Sequence, residues 1–367
     1  MAVDERRHAF PAPLRVAGKA CALLAALFLF VLAIQLMKGG AKALAPTLQD
    51  SPLFENAIST LGAGWLGAYL VLSGSPIAAV SLGLFTGGAL TRLQTFTMLS
   101  GSRLGASFIV LLVGFLYAVR NRDGDRRESI GMGVLALSLT AIVYLPGMLI
   151  GYAMLREGFL ASVDWRASSE ALSLIDLVWG PALDLIRAVT PDWLELPVGL
   201  AVILVSFRFL DTVLPQIDGE RADRWRGWTG RRWAMFGLGC LVATLTLSVS
   251  VALTVLVPLA SRGYVRREDS MPYIMGANIT TLADTLVAAM LTGSAVAVQI
   301  VLAEAIGVTL VSLVCLAFLY GRIRGGVLAL DDWVVSSNRR LTVFVVALFF
   351  LPTVLLTSGI WLGPFSG

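Results

Sequence analysis

The sequence predicts an all-α integral membrane protein built from two inverted-topology repeats, each carrying a re-entrant helical hairpin. Three observations predict it. The first is composition: of 367 residues, 57% are hydrophobic and 14% charged, and the mean hydropathy is +0.81. A soluble domain of that length carries far more charge. The second is the alternation of apolar runs with arginine clusters, which orients the runs by the positive-inside rule. The third is a gapless internal match at an offset of 175, in which residues 62–110 against 237–285 give 13 identities in 49 pairs. They include Gly62/Gly237, Gly64/Gly239, Ser73/Ser248, Ser75/Ser250, Arg92/Arg267 and Gly101/Gly276. Leucine and alanine matches follow from any shared bilayer composition; a shared register of glycine and serine does not.

Taken in order, a polar, basic tail (1–19) precedes an apolar run too long for a signal-peptide core. Helix 20–44 is therefore read as retained, with the N-terminus cytoplasmic. Further apolar segments lie at 61–88, 94–119, 129–155, 194–214, 234–260, 271–293, 296–320 and 341–363, and the basic connections at 6–19, 120–127, 221–232, 262–267 and 322–340. If all five connections are cytoplasmic, crossings between them are even in number. Helix 20–44 leaves and 94–119 returns, so 61–88 enters and leaves on the outer side. By the same count, 234–260 enters and leaves on the cytoplasmic side.

Two matched segments that dip in from opposite faces are how many secondary transporters build a site near the bilayer midplane. The expected domains are the cytoplasmic tail 1–19, membrane repeat 1 at 20–155, an external linker 156–193, membrane repeat 2 at 194–330, and an additional C-terminal transmembrane helix within 331–367. The linker is rich in Trp and Leu and is expected to hold an interfacial helix. Seven spanning helices and an external C-terminus follow. The expected location is a plasma membrane, specifically a bacterial inner membrane, and a homodimer is one assembly the fold would allow.

The arms have the right length for a half-crossing. Gly62–Leu72 is 11 residues and Pro76–Gly88 is 13; at about 1.5 Å per residue each reaches roughly the midplane. The first turn is expected at Ser73-Gly74-Ser75-Pro76, where glycine permits the bend and proline in the first helical turn removes no hydrogen bond. The second turn, Ser248-Val249-Ser250, has neither.

Composition also excludes chemistry. Cys21, Cys240 and Cys315 sit in apolar segments with neither a disulfide framework nor metal-ligand spacing. The one histidine, His8, is in the tail, so no histidine-based metal or acid/base chemistry is expected within the membrane. The arginine clusters report topology and not nucleic-acid binding. No cofactor is expected beyond a coupling ion, Na+ or H+.

The motifs resemble those of the type II sodium-dependent phosphate cotransporter family, which has two inverted repeats, each with a QSSS signature in a re-entrant hairpin followed by a GANIGT-like motif. Here Leu72–Ser75 (LSGS) and Leu247–Ser250 (LSVS) stand at the first motif. Gly101–Ala106 (GSRLGA) and Gly276–Thr281 (GANITT) stand at the second. The chain departs from the pattern at both glutamines (Leu72 and Leu247), at the middle serines (Gly74 and Val249), and at Arg103, where the family has the asparagine that Asn278 keeps. The resemblance implies secondary active transport of an inorganic anion, with sodium-coupled phosphate uptake by alternating access as the leading expectation. It implies Ser73, Ser75, Ser248 and Ser250 as substrate ligands.

The residues themselves favour an oxyanion. Helices that start at the hairpin tips present free N–H groups and a positive dipole end, and serine hydroxyls donate to phosphate oxygens. A lone serine in an apolar helix usually bonds its own i−4 carbonyl; paired Ser-x-Ser tips favour a site. Arg103, near mid-depth, reads either as a substrate ligand or as the structural partner of Asp284. Asn278 is a further substrate candidate, since Asn weakens a helix unless partnered. Thr254, Thr280, Thr281 and Asp284 are the candidates for the coupling ion, which is H+ if Asp284 titrates. Glu304 reads as a shallower structural or surface acid, and Gln299 as a helix–helix hydrogen-bonding residue.

Three alternatives stand beside this reading. One is a proton-coupled or other-oxyanion transporter. A second is a homologue that has lost transport. The third, ranked well below, is an undecaprenyl-pyrophosphate-phosphatase-like enzyme, because MLSGSRLGAS (98–107) faintly resembles its PGxSRS motif; no paired membrane carboxylates accompany it.

Overall fold

A computed structural model describes residues 12–120, 126–213, 231–246, 248–261 and 265–362. Within them the chain is helical, with no strand. His8, Leu247, Arg262 and parts of the clusters at 120–127 and 221–232 lie outside the described residues. The helices are α1 (Ala12–Gln49), α2 (Ala57–Val71), α3 (Gly74–Thr86), α4 (Arg92–Ala106), α5 (Phe108–Arg120), α6 (Arg126–Arg156), α7 (Ser169–Val189), α8 (Glu195–Val213) and α9 (Arg232–Thr246). They continue as α10 (Val249–Thr254), α11 (Leu256–Ser261), α12 (Arg267–Thr280), α13 (Leu282–Leu291), α14 (Ala295–Val314), α15 (Tyr320–Val335), α16 (Asn338–Leu356) and α17 (Ser358–Leu362).

Among the described residues, six helical stretches are long and apolar enough to cross a membrane, seven if the bent pair formed by α7 and the segment from Asp192, which meet at 119°, counts as one. The chain is thus a multi-pass membrane protein. α2, α3 and α9 are each shorter than the roughly 20 residues a crossing needs.

Helix bounds recur at the offset of 175. α2 (57–71) maps onto α9 (232–246), α3 (74–86) onto α10 plus α11 (249–261), and α4 (92–106) onto α12 (267–280) to within one residue. The packing recurs as well. A Cβ at Gly64 would collide with the Met98 carbonyl, and one at Gly239 with the Tyr273 carbonyl. Gly101 meets the Leu61 carbonyl as Gly276 meets that of Phe236. Glycine at these four positions lets two backbones touch where any side chain would hold them apart. This explains why the glycine register is the persistent part of the sequence match.

Besides packing within its own stretch, each short-helix pair touches helices of the other stretch. Ile77, Ala78 and Leu82 of α3 share a core with Ala289 of α13 and Val298 and Val301 of α14. Val249, Leu253 and Val257 of α10 and α11 share another with Val110 of α5 and Leu135 and Leu139 of α6. α1 crosses α8 closely: Gly40 lies against the Leu196 backbone and Gly199 against Met37 and Ala33.

Two expectations change. The connection 322–340 is not an extended loop. After a π-turn at Cys315–Leu319 the helix continues as α15 to Val335. Asp331, fully buried there, accepts from Arg267 Nη1 at 2.6 Å, and Arg267 also reaches Glu128 at 3.0 Å. That ion network ties α15 to α12 and α6, and tertiary pairing overrides the weak helical preference of the Gly325-Gly326 stretch. The first turn also bends elsewhere than expected, as described below. The linker 156–193 contains α7, which docks on α1 by stacking Trp179 on Phe28 at 5.3 Å between ring centroids and leaves Leu177 and Leu185 exposed.

Candidate substrate site

The first tip lies between α2 and α3. α2 ends on Leu72, whose φ of 56° is left-handed, and the Ser73 N–H donates back to the Ala68 carbonyl at 3.1 Å. Ser73 is extended and opens α3 without a side-chain cap. The bend therefore sits on Leu72, a branched residue in a region that costs it roughly 1–2 kcal/mol. Gly74, expected to make the bend, is instead the first helical residue. Its lack of a Cβ is needed because Ser102 O lies 2.6 Å from where one would be.

The second tip lies between α9 and α10. Ser248 caps α10 by accepting from the Val251 N–H at 3.3 Å, and Thr246 donates to the Ser248 carbonyl at 3.1 Å. Ser250 Oγ donates across to the Leu72 carbonyl at 3.3 Å, so the two tips touch. Between them is a cavity of about 380 Å³ lined by Ser73, Ser75, Ser248 and Ser250, and closed on a third side by Phe207 and Arg208 of α8. All four serines named from the sequence thus line one cavity. Arg208 was missed; its signal was a lone arginine in the apolar run 194–214.

Behind the first tip is a buried polar cluster. Arg103, 1% exposed, donates from Nη1 to Ser75 Oγ (3.2 Å) and Thr281 Oγ1 (3.4 Å) and from Nη2 to Thr285 Oγ1. Its Nη2 lies 3.7 Å from Asp284 Oδ1, which also accepts from the Thr285 hydroxyl at 2.9 Å. Arg103 and Asp284 therefore form a buried ion pair that also steadies Ser75. Among the described residues, Asp284 Oδ2 has no hydrogen-bond partner.

The other candidates bond elsewhere. Asn278 donates to Thr140 Oγ1 at 3.1 Å, and its carbonyl accepts from the Tyr144 hydroxyl at 2.7 Å. Thr280 donates to the Cys240 carbonyl at 3.1 Å, and Thr254 to that of Val251 at 3.3 Å. Among the described residues no hydrogen bond joins Thr254 or Thr280 to Asp284. Glu304 is not shallow: it is fully buried and accepts from Ser100 Oγ at 2.8 Å. Its burial was hidden from the sequence because Ser100 is 204 positions away. Gln299 donates to the Val163 carbonyl at 3.2 Å.

Comparison with known proteins gives one family. Residues 202–356, from within α8 to the end of α16, match the family model described as Na+/Pi-cotransporter. Comparisons with curated proteins and with solved structures find no match.

Proposed function

We propose that this chain, a member of the Na+/Pi-cotransporter family, is a secondary transporter that takes up phosphate by alternating access and binds it in the cavity between the two serine tips. The family is one of transporters rather than enzymes, and the apolar helices agree with transport of phosphate in general. The finer reading is sodium-coupled uptake across a bacterial inner membrane, with the N-terminus cytoplasmic, α2–α3 and α9–α11 as re-entrant hairpins of two inverted repeats, and pairing into a homodimer. Helix lengths too short to cross, recurring bounds and recurring glycine contacts support the repeats. The repeats are taken as 20–155 and 194–330, with 156–193 as the external linker and 331–367 adding the last helix.

The observation that carries the substrate reading is the meeting of the tips: Ser250 bonds the Leu72 carbonyl, and both Ser-x-Ser pairs line one cavity at the start of α3. Hydroxyls and first-turn amides are donors, which suits an oxyanion. Arg103 and Asn278 act in this reading as support for the tips and the helices behind them. Thr281 and Asp284 are the coupling-ion candidates that share one cluster. A second reading, coupling to H+ carried by Asp284, is favoured by the buried, unpartnered Oδ2.

Phosphate uptake into proteoliposomes, with and without a sodium gradient and with and without a proton gradient, tests both. Uptake driven by sodium supports the first and uptake driven by protons alone the second; no uptake under either gradient rejects transport. Ser75→Ala with Ser250→Ala removes two donors and should weaken phosphate binding at least about tenfold, at roughly 1 kcal/mol per neutral hydrogen bond. Unchanged affinity would mean that the serines merely pack.

A further inference from the structure

Among the described residues, the cavity between the tips holds one cation that no neighbour neutralises. Arg103 is paired with Asp284 at 3.7 Å and buried behind Ser75. Arg208, on α8, lines the cavity with Ser73, Ser75, Ser248 and Ser250, and among the described residues no acidic side chain lies within ion-pair distance of it. An arginine inside an apolar helix is costly unless it faces a partner or a water-filled space. Here it lines a space shared with four serine hydroxyls, the start of a 13-residue helix and apolar side chains that include Leu204, Phe207 and Val251. Its planar fork of N–H donors fits two oxygens of an oxyanion at once.

Resting on the phosphate reading above, we propose that Arg208 is the charged ligand of the anion: its guanidinium holds two oxygens while the tip serines donate to the others. α8 belongs to neither hairpin. The ligand set therefore has three walls, and the anion is released when α8 and the tips separate. With Arg103 neutralised by Asp284, Arg208 is the one net positive charge that the described residues bring to the site, so the cavity matches the monoanion of phosphate better than the dianion.

The test is binding of radiolabelled inorganic phosphate to the full chain in proteoliposomes, comparing wild type with Arg208→Gln and Arg208→Lys and checking thermal unfolding of each. Arg208 bonds no described residue, so unfolding temperatures should match the wild type. Arg208→Gln should weaken binding about tenfold or more, the loss expected for a charge-assisted hydrogen bond, and Arg208→Lys should lie between. Wild-type affinity computed per monoanion should stay constant as pH is raised from about 6 to 8, across the ionisation of phosphate. If the wild type binds phosphate and both variants bind it equally well, Arg208 is not a ligand and the proposal falls. If affinity is constant per dianion, the charge count is wrong. If the wild type does not bind phosphate at all, the phosphate reading itself falls. Should Arg208→Gln fail to fold, Arg208→Lys decides alone, and unchanged affinity in it overturns the proposal.

Discussion

Neutralising Arg103 and Asp284 singly and together separates a structural ion pair from a substrate ligand. The two charges are 3.7 Å apart, with 1% and 5% of their side-chain surface exposed. At an effective dielectric of about 20, Coulomb's law gives an attraction of about 4 kcal/mol at this separation. Removing one partner leaves the other buried without its counter-charge, at a cost of about 3–5 kcal/mol. Arg103→Gln also leaves the hydroxyls of Ser75, Thr281 and Thr285 without their shared donor. Equilibrium unfolding in mixed micelles should therefore show each of Arg103→Gln and Asp284→Asn destabilised by about 3 kcal/mol or more. The double variant should be less destabilised than the sum by at least about 2 kcal/mol. Because Arg103 also steadies Ser75, phosphate affinity should fall in Arg103→Gln and stay low in the double variant even as stability recovers. Additive effects within about 0.5 kcal/mol would refute the pairing. Loss of phosphate binding in Arg103→Gln with stability untouched would place the guanidinium on the substrate instead.

Other outcomes follow from local geometry. Leu72→Gly relieves a left-handed leucine and should stabilise the fold by about 1 kcal/mol, read as a rise in unfolding temperature; a fall would show that the leucine side chain contributes more by packing than its backbone costs. Thr86→Cys and Ser261→Cys occupy equivalent helix ends at the offset of 175, and in right-side-out vesicles an impermeant thiol reagent should reach the first and not the second. Labelling of both from one face would end the inverted-repeat reading. Gly101→Val forces a branched side chain into the Leu61 carbonyl and should abolish folded protein, scored by size-exclusion elution.

The parts legible from sequence were those governed by local composition. Apolar run length located the long helices, and the glycine and serine register aligned α2 with α9 and α3 with α10 and α11 because backbone contact and turn position each demand a residue type. The same register singled out Ser73, Ser75, Ser248 and Ser250, which line one cavity. Long-range partners were not legible. Whether Arg103 meets Asp284 depends on how α4 packs against α13, and the burial of Glu304 on Ser100. Gly74 was assigned the wrong task because a glycine beside a turn and a glycine beside another helix look alike in sequence. The continuation of α15 through 322–335 was obscured by arginines that read as a loop, and its register is fixed by Asp331 meeting Arg267. Arg208 went unnoticed because nothing local distinguishes an arginine facing a cavity from one reaching for the membrane surface.

The glycine contacts carry a mechanical consequence. Where two backbones touch with no side chain between them, sliding by even a fraction of a residue drives a carbonyl into a Cα. α2 with α4, and α9 with α12, are therefore clamped as two stiff levers, each pinned at two points. Each lever carries a serine tip at its end, and the described bond from tip to tip is the single one from Ser250 to the Leu72 carbonyl. A neutral hydrogen bond is worth about 1 kcal/mol, so breaking this one bond requires little work compared with deforming either lever. In the proposed transport cycle, the stroke therefore runs along the seam between the two tips.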